Sequence, residues 1–408
     1  MVENFNEKAD FIWSIADLLR GDYKQSEYQK VILPLTVLRR LDCVTKPNKE
    51  NVLKRYEQLQ EQGIENVAPS LKKASGEKVY NTSEYTFESL CDDPEQIASN
   101  LQYYINSFDE ETTEIFDKFD FNHQIQRLDE ADLLFQVMQE FAEIDLHPDA
   151  VPNEEMGYIY EELIRKFNEL SNETAGEHFT PREVIELMVN LIFDEDDEAL
   201  AEEGAVRTVY DPACGTGGML SVAENYVRDL NEGANLHVFG QELNPESYAI
   251  CNSDMLIKGQ EPENIAYGNS FTADGFPDRE FDYMLSNPPF GVSWKKVKDQ
   301  IEREHDEQGY AGRFGAGTPR TNDGAFLFLQ HMVSKMKSPD EGGSRIAIVF
   351  NGSPLFTGGP NSGESAIRRW ILENDWLEAI VGLPENLFYN TGIHTYIWVL
   401  SNDKPEER

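Results

Sequence analysis

The sequence predicts an α/β protein in which an all-helical N-terminal domain precedes a doubly wound, mostly parallel sheet with an antiparallel last strand. Three observations carry this. Apolar residues in the first part recur at helical spacing: Phe11, Ile12, Ile15, Leu18 and Leu19 share one face, as do Val31, Ile32, Leu35, Leu38 and Leu41, and again Leu133, Leu134, Val137, Met138 and Phe141. From about residue 205, short apolar runs at Val206–Tyr210, Leu236–Gln241, Phe281–Leu285 and Arg345–Phe350 alternate with helix-compatible stretches. The last two runs, Glu378–Leu383 and Thr395–Ser401, are joined by a loop too short for a crossover helix, so they pair antiparallel.

Along the chain, Lys46–Glu50 and Lys72–Lys78 read as polar connectors between helices. Ala142–Asn153, with Pro148, Pro152 and a charged flank, marks a boundary that gives a helical domain at 1–150 and an α/β domain at 151–408. An amphipathic helix over Glu154–Leu170 then leads into the loop Ser171–Glu177. The acidic run Asp194–Glu203 reads as a solvated loop or helix end.

Composition narrows the class. The 408 residues suffice for two or three domains with sizeable cores, and 40% apolar with 11% aromatic residues exclude a disordered chain. No run of 18 apolar residues occurs, and the start MVENFNEKADF lacks the stages of a signal peptide, so a soluble, non-exported protein is expected. Cys43, Cys91, Cys214 and Cys251 are scattered without a C-x-x-C pair or zinc spacing. Neither a disulfide framework nor a metal site is indicated, and a reducing cytoplasm fits. With 35 basic against 75 acidic residues the net charge is −40, which opposes strong binding to a phosphate backbone.

Three motifs carry chemistry. Asp211-Pro-Ala-Cys-Gly-Thr216-Gly217-Gly218 follows a strand and opens a helix, where glycines let a ligand approach the backbone and a helix N-terminus favours an anion. It differs from the dinucleotide pattern G-x-G-x-x-G, and a plain strand-to-helix turn is the alternative. Glu242 closes the second strand, where an acid can take two ribose hydroxyls or cap a helix. Ser286-Asn287-Pro288-Pro289-Phe290 follows the third run. Two prolines stiffen this turn and leave carbonyls free to accept, so the Asn287 oxygen and the Pro288 carbonyl can grip a planar amino group while Phe290 stacks on its ring. A rigid surface turn is the alternative. The segment Gly291–Arg320, with Lys295, Lys296, Lys298, Arg303, Arg313 and Arg320, reads as a mobile, partly basic loop near a nucleic acid or as a plain surface loop.

With Glu177-His-Phe-Thr-Pro-Arg182 upstream, the glycine loop DPACGTGG and NPPF resemble the S-adenosylmethionine-dependent N6-adenine DNA methyltransferases, in particular the modification (M) subunit of type I restriction-modification systems. Val31–Asp42 is similar to that family's L-R-R-L-D helix, and Gly358–Glu364 extends the resemblance, so it covers most of the chain. It implies a Rossmann-like methyltransferase sheet and S-adenosyl-L-methionine as cofactor. Glu177, His178, Phe179, Thr180, Pro181 and Arg182, with Thr216, Gly217 and Gly218, would surround the methionine end, Thr180 bonding its carboxylate and Asp211 lying near its ammonium. Glu242 would hold the ribose and Asn269 the adenine, where many relatives carry Asp. Without the resemblance, Thr180-Pro181 reads equally as an N-cap and first-turn proline. The implied partners are DNA, a specificity (S) subunit flanked by two copies of this chain, and a restriction (R) subunit, since the chain lacks G-x-x-x-x-G-K-[ST] for ATP-driven work. A methyltransferase acting on RNA or a protein glutamine amide is the rival. The face around Leu35 and Leu38 is expected either to close the assembly around DNA or to pack within its own domain.

Overall fold

The computed structural model describes residues 2–170, 180–194, 200, 202, 204–231, 233–385, 387–388 and 393–404. The chain forms two compact units, Met1–Glu173 with Ala249–Pro262, and Thr174–Tyr248 with Glu263–Arg408.

In the first unit the helix Gln29–Thr45 is the axis, buried on every side from Val31 to Cys43. Leu35 and Leu38 are fully buried among Phe121, Ile125, Val137 and Phe141 in the unit's own core, so they pack their domain and form no outer face. Arg39 and Arg40 are buried too, and both serve the backbone. Arg39 donates to the carbonyls of Ile144 and Ala142, each at 2.9 Å, while Arg40 donates to the carbonyls of Leu146 and Val151. The pair thus staples the proline-bearing segment 142–153, whose carbonyls would otherwise be buried unpaired. Asp42 pairs with Arg39 at 2.9 Å and accepts from the Tyr104 hydroxyl at 2.9 Å. The helix Asn153–Leu170 spends its apolar stripe here as well, with Met156, Ile159, Tyr160 and Leu163 at 0% exposure.

The second unit is a seven-stranded sheet: β1 (Val206–Asp211), β2 (Asn235–Glu242), β3 (Ile265–Tyr267), β4 (Tyr283–Ser286), β5 (Arg345–Asn351), β6 (Leu377–Gly382) and β7 (Thr395–Ser401) in the order β3-β2-β1-β4-β5-β7-β6. The first five are parallel; β7 inserts antiparallel between β5 and β6, as the short connection requires. β5 is buried along its length, as a central strand covered on both faces must be. The order reverses between β1 and β4, so the chain diverges at their carboxyl ends and leaves a crevice where ligands of such sheets bind.

The segment 291–320 departs from the expected mobile loop. It holds the helix Lys298–Gln308, and Trp294, Ile301 and Phe314 close with Phe271 and Leu327 into a small apolar core of their own. Burying those side chains gives the insertion a fixed shape. No helix among the described residues is long and apolar enough to cross a membrane.

Candidate active site

The candidate residues of the second unit that the structure describes lie around the switch point. At the end of β1 the loop Pro212–Gly217 turns on Gly215 (φ +56°) and Gly217 (φ +84°), a left-handed region that L side chains disfavour. Around Gly215 there is open space, with nothing within 4 Å of where a Cβ would stand. Gly240 on β2 is needed for another reason. A Cβ there would lie 2.8 Å from Cys214 Sγ, so only glycine lets the loop rest on β2, where Cys214 N–H donates to the Gln241 carbonyl at 3.1 Å.

Glu242 ends β2 and ties the loop down. Its Oε2 accepts from Gly215 N–H at 2.9 Å and its Oε1 from Asn244 N–H at 2.6 Å. Each carboxylate oxygen offers a second lone pair, so this anchoring is compatible with accepting from a diol.

Asp211 is 1% exposed. It accepts from Ala213 N–H at 2.9 Å and from the Ser286 hydroxyl at 2.8 Å, which joins the end of β1 to the end of β4. Burial pushes its carboxyl up to about 7, the two hydrogen bonds opposing and the charge of Glu242 adding to the rise.

Asn287 donates from Nδ2 to Thr180 Oγ1 at 2.9 Å, and its Oδ1 is buried with no hydrogen-bond partner among the described residues. Buried amide oxygens are rarely left so. Pro288 is buried and Pro289 half-buried; Phe290 meets Phe388 edge to face, ring centroids 5.9 Å apart. Asn269, in the turn after β3, bends its Oδ1 onto Phe271 N–H at 2.9 Å, and Ser270 Oγ donates to the Pro212 carbonyl at 2.6 Å, fastening this turn to the glycine loop.

The structure therefore brings together Thr180, Asp211, the glycine loop, Glu242, Asn269 and the Asn287–Phe290 turn. Thr180 is not an N-cap: the helix Arg182–Phe193 is capped by Pro181, without a side-chain cap, and the threonine hydroxyl serves Asn287 instead. Arg182 is exposed and paired with Glu186 at 3.1 Å one turn on. Thr216 is half-buried in the loop, while Glu177, His178 and Phe179 lie outside the described residues. The motif names Ser286 without showing its bond to Asp211, and Phe388 is not singled out by the sequence. A serine before Asn-Pro-Pro carries no signal of its own, and Phe388, which precedes Tyr389 in the sequence, falls in no motif.

Residues 152–408 match the N-6 DNA methylase family, and residues 8–141 match the HsdM N-terminal domain. The chain belongs to the N-6 DNA methylase family. The combination of the two domains is that of the type I restriction-modification methylase subunits, which the motifs had implied. The MjaIX methylase subunit of Methanocaldococcus jannaschii, a type I restriction enzyme component, is 26% identical over 97% of this methylase and 69% of its own length. The EcoEI methylase subunit of Escherichia coli is 32% identical over 67% of this methylase and 51% of its own length, and the HindI methylase subunit of Haemophilus influenzae 29% identical over 61% and 51%. The chain thus spans about half the length of the latter two. The crystal structure of a type I restriction-modification methyltransferase subunit from Streptococcus thermophilus shares the fold, with a TM-score of 0.71, 23% identity, and 97% of this chain and 84% of that one covered.

Proposed function

We propose that this N6-adenine DNA methylase of the type I restriction-modification kind binds S-adenosyl-L-methionine at the carboxyl ends of β1 and β2, and that the Asn287–Phe290 turn holds the target adenine. The observation that carries the reading is the Asn287 amide: its nitrogen is anchored on Thr180, and its oxygen, buried and without a partner among the described residues, is left to accept.

The residues fit the cofactor. The open space at Gly215, the left-handed backbone at Gly215 and Gly217, and a buried carboxyl at Asp211 with no cation paired to it among the described residues all suit an amino acid carrying an ammonium and a carboxylate. Asp211 would take the ammonium, the proton of the Thr180 hydroxyl the carboxylate, Glu242 the ribose diol and Asn269 the adenine, with Pro181, Thr216, Gly217 and Gly218 lining the methionine end. When bound, the cofactor supplies a methyl group on a sulfonium, an electrophile that needs no protein nucleophile.

The chain's own work is then on the acceptor. Adenine N6 is a poor nucleophile because its lone pair is delocalised into the ring. Asn287 Oδ1 and the Pro288 carbonyl accept its two N–H bonds, which draws the nitrogen toward a tetrahedral form with its lone pair directed at the methyl group. These acceptors are held before the reaction begins, so they cost little reorganisation at the transition state. Phe290, buttressed by Phe388, stacks on the base once it has left the duplex; unstacking of this kind costs a few kcal/mol. Sequence choice would come from a specificity subunit flanked by two copies of this methylase, and cleavage from a restriction subunit, all in the cytoplasm.

The test is methyl transfer from radiolabelled cofactor to duplex DNA, RNA and protein in parallel, with the neighbouring specificity protein added. Labelled N6-methyladenine in DNA, abolished by Asn287→Ala, is expected. Label in RNA or on glutamine instead would overturn the assignment.

A further inference from the structure

We propose that Arg313 is a positioning residue for the nucleoside end of the cofactor, through which the folded insertion after Asn287–Phe290 sets the turn that carries Asn269. The inference rests on the cofactor reading above and adds a residue to it.

The guanidinium of Arg313 has five N–H donors, and each has an acceptor. Nε and Nη2 grip Glu304 at 2.9 and 2.6 Å in a fork. Nη1 donates to the Ser270 carbonyl at 2.8 Å, and Nη2 also donates to the Phe271 carbonyl at 2.7 Å. The fifth donor, on Nη1, meets His331 Nδ1 at 3.2 Å. Such saturation is geometrically demanding and is what the planar, forked cation can do and a lysine cannot.

The acceptors belong to three separate stretches of chain. Glu304 is on the insertion's helix; Ser270 and Phe271 directly follow Asn269. His331 lies on the buried helix Ala325–Val333 and touches Tyr210 of β1, Nε2 to Oη 3.1 Å, beside Asp211. Since Nδ1 accepts from a permanent cation, His331 is neutral with its proton on Nε2, and burial, with Lys335 and Arg313 nearby, holds it down at about 3 against the pull of Asp274. Ser270 closes the circuit through its hydroxyl on the Pro212 carbonyl. The carbonyls of the Asn269 turn are therefore fixed from one side by Arg313, and the turn's hydroxyl is fixed on the glycine loop from the other.

A buried arginine that bonds only carbonyls of a fold would be scaffolding. This one bonds the carbonyls of the two residues that follow Asn269, which the cofactor reading assigns to the adenine, so its removal should loosen that residue while the chemistry at Asn287 remains intact. The expected signature is a split: Arg313→Met raises the calorimetric Kd and the KM for S-adenosylmethionine about tenfold or more, with kcat at saturating cofactor within about twofold of wild type. Arg313→Lys should not restore affinity, because one ammonium cannot serve both carbonyls and the fork. Glu304→Gln keeps the donors and the shape, and serves if Arg313→Met folds poorly; a smaller loss of affinity is expected.

The full-length protein is measured throughout, with hydrogen exchange of the amides of Thr272 and Ala273, which close the Asn269 turn, as the readout independent of turnover. Faster exchange there in both variants, together with the Kd change, supports the assignment. Wild-type affinity in Arg313→Met, or a fall in kcat as large as the rise in KM, overturns it. If the wild type itself binds no S-adenosylmethionine, the cofactor reading falls first, and the inference with it.

Discussion

Asn287 and Thr180 stand 107 residues apart in the chain and are joined by one hydrogen bond, Nδ2 to Oγ1 at 2.9 Å. A primary amide can present either end to a ligand. With its nitrogen held by a hydroxyl, Asn287 presents its oxygen, which is the end an amino group needs. The same hydroxyl keeps its own proton to give away, so one threonine can orient the acceptor and bind a carboxylate.

Thr180→Val should therefore cost more than its position on the rim suggests. Losing the anchor frees the amide to turn, and kcat should fall by about 10- to 100-fold, while Thr180→Ser retains most activity. Asn287→Ala should lose about 2.7–4 kcal/mol of transition-state stabilisation with cofactor affinity nearly intact. Single-turnover rates decide both. A Thr180→Val enzyme as fast as wild type would show that the amide needs no such hold.

Asp211 makes the protein pH-sensitive in a window that can be named. Its folded value of about 7 lies above the ordinary 3.8, so between roughly pH 4 and 7 the folded state holds a proton that the unfolded chain has released. Stability from this group is complete below about pH 4 and is lost as pH rises through 7, a change on the order of 4 kcal/mol for a fully buried carboxyl. The cofactor's ammonium acts in the opposite sense, favouring the carboxylate. Affinity for S-adenosylmethionine should tighten as pH rises through 7, with proton release visible as a buffer-dependent heat of binding. Asp211→Asn should flatten the stability slope and abolish the proton release; a wild-type slope in that variant would assign the titration elsewhere.

Much of this was legible in the sequence, because periodic patterns report local physics. The strands of the sheet differ from the expected runs by a residue or two, and the antiparallel end follows from the length of one loop. β3 was not seen, since three residues are too few to show alternation. What the sequence hid were side chains whose role depends on a distant partner. The basic residues of 291–320 look like a nucleic-acid surface until Arg313 is found against Glu304 at 2.6 Å, Arg320 near Asp323 at 3.3 Å and Lys298 near Glu302 at 3.4 Å. Arg39 and Arg40 hide in the same way, as cations whose acceptors are carbonyls about a hundred positions on.

Gly240 offers a packing test of the glycine loop. A Cβ at this residue would stand 2.8 Å from Cys214 Sγ and 3.1 Å from Ile265 Cδ1, both in buried surroundings that cannot simply yield. Gly240→Ala should lower stability by about 1–3 kcal/mol through overpacking and weaken cofactor binding by lifting the loop from β2. Adding Cys214→Ala removes the nearest atom and should recover part of both losses. Denaturant melts and calorimetry of the single and double variants measure the coupling, and strict additivity would remove Cys214 as the cause.

The charge of −40 leads to the last prediction. Proteins with steep salt dependence make roughly 6–10 phosphate contacts, each through an available cation that displaces counterions condensed on the DNA. Here three of the six cations in 291–320 are held by carboxylates, which leaves Lys295, Lys296 and Arg303 as the exposed ones without a described ion pair in that segment. Three such contacts from the segment beside the site add little attraction to a chain of net charge −40. The isolated methylase should therefore show no sequence-specific binding in anisotropy titrations at micromolar concentration and about 0.1 M salt, where the Debye length of about 10 Å still lets the acidic surface repel DNA. Adding the specificity protein should produce tight binding, and with it methylation of one defined sequence. An adaptation to high salt would also explain the acidity, and it has its own signature: stability and activity of the isolated chain would rise steeply toward molar potassium chloride. Tight, site-specific methylation by the isolated chain at moderate salt would show that recognition resides in this polypeptide after all.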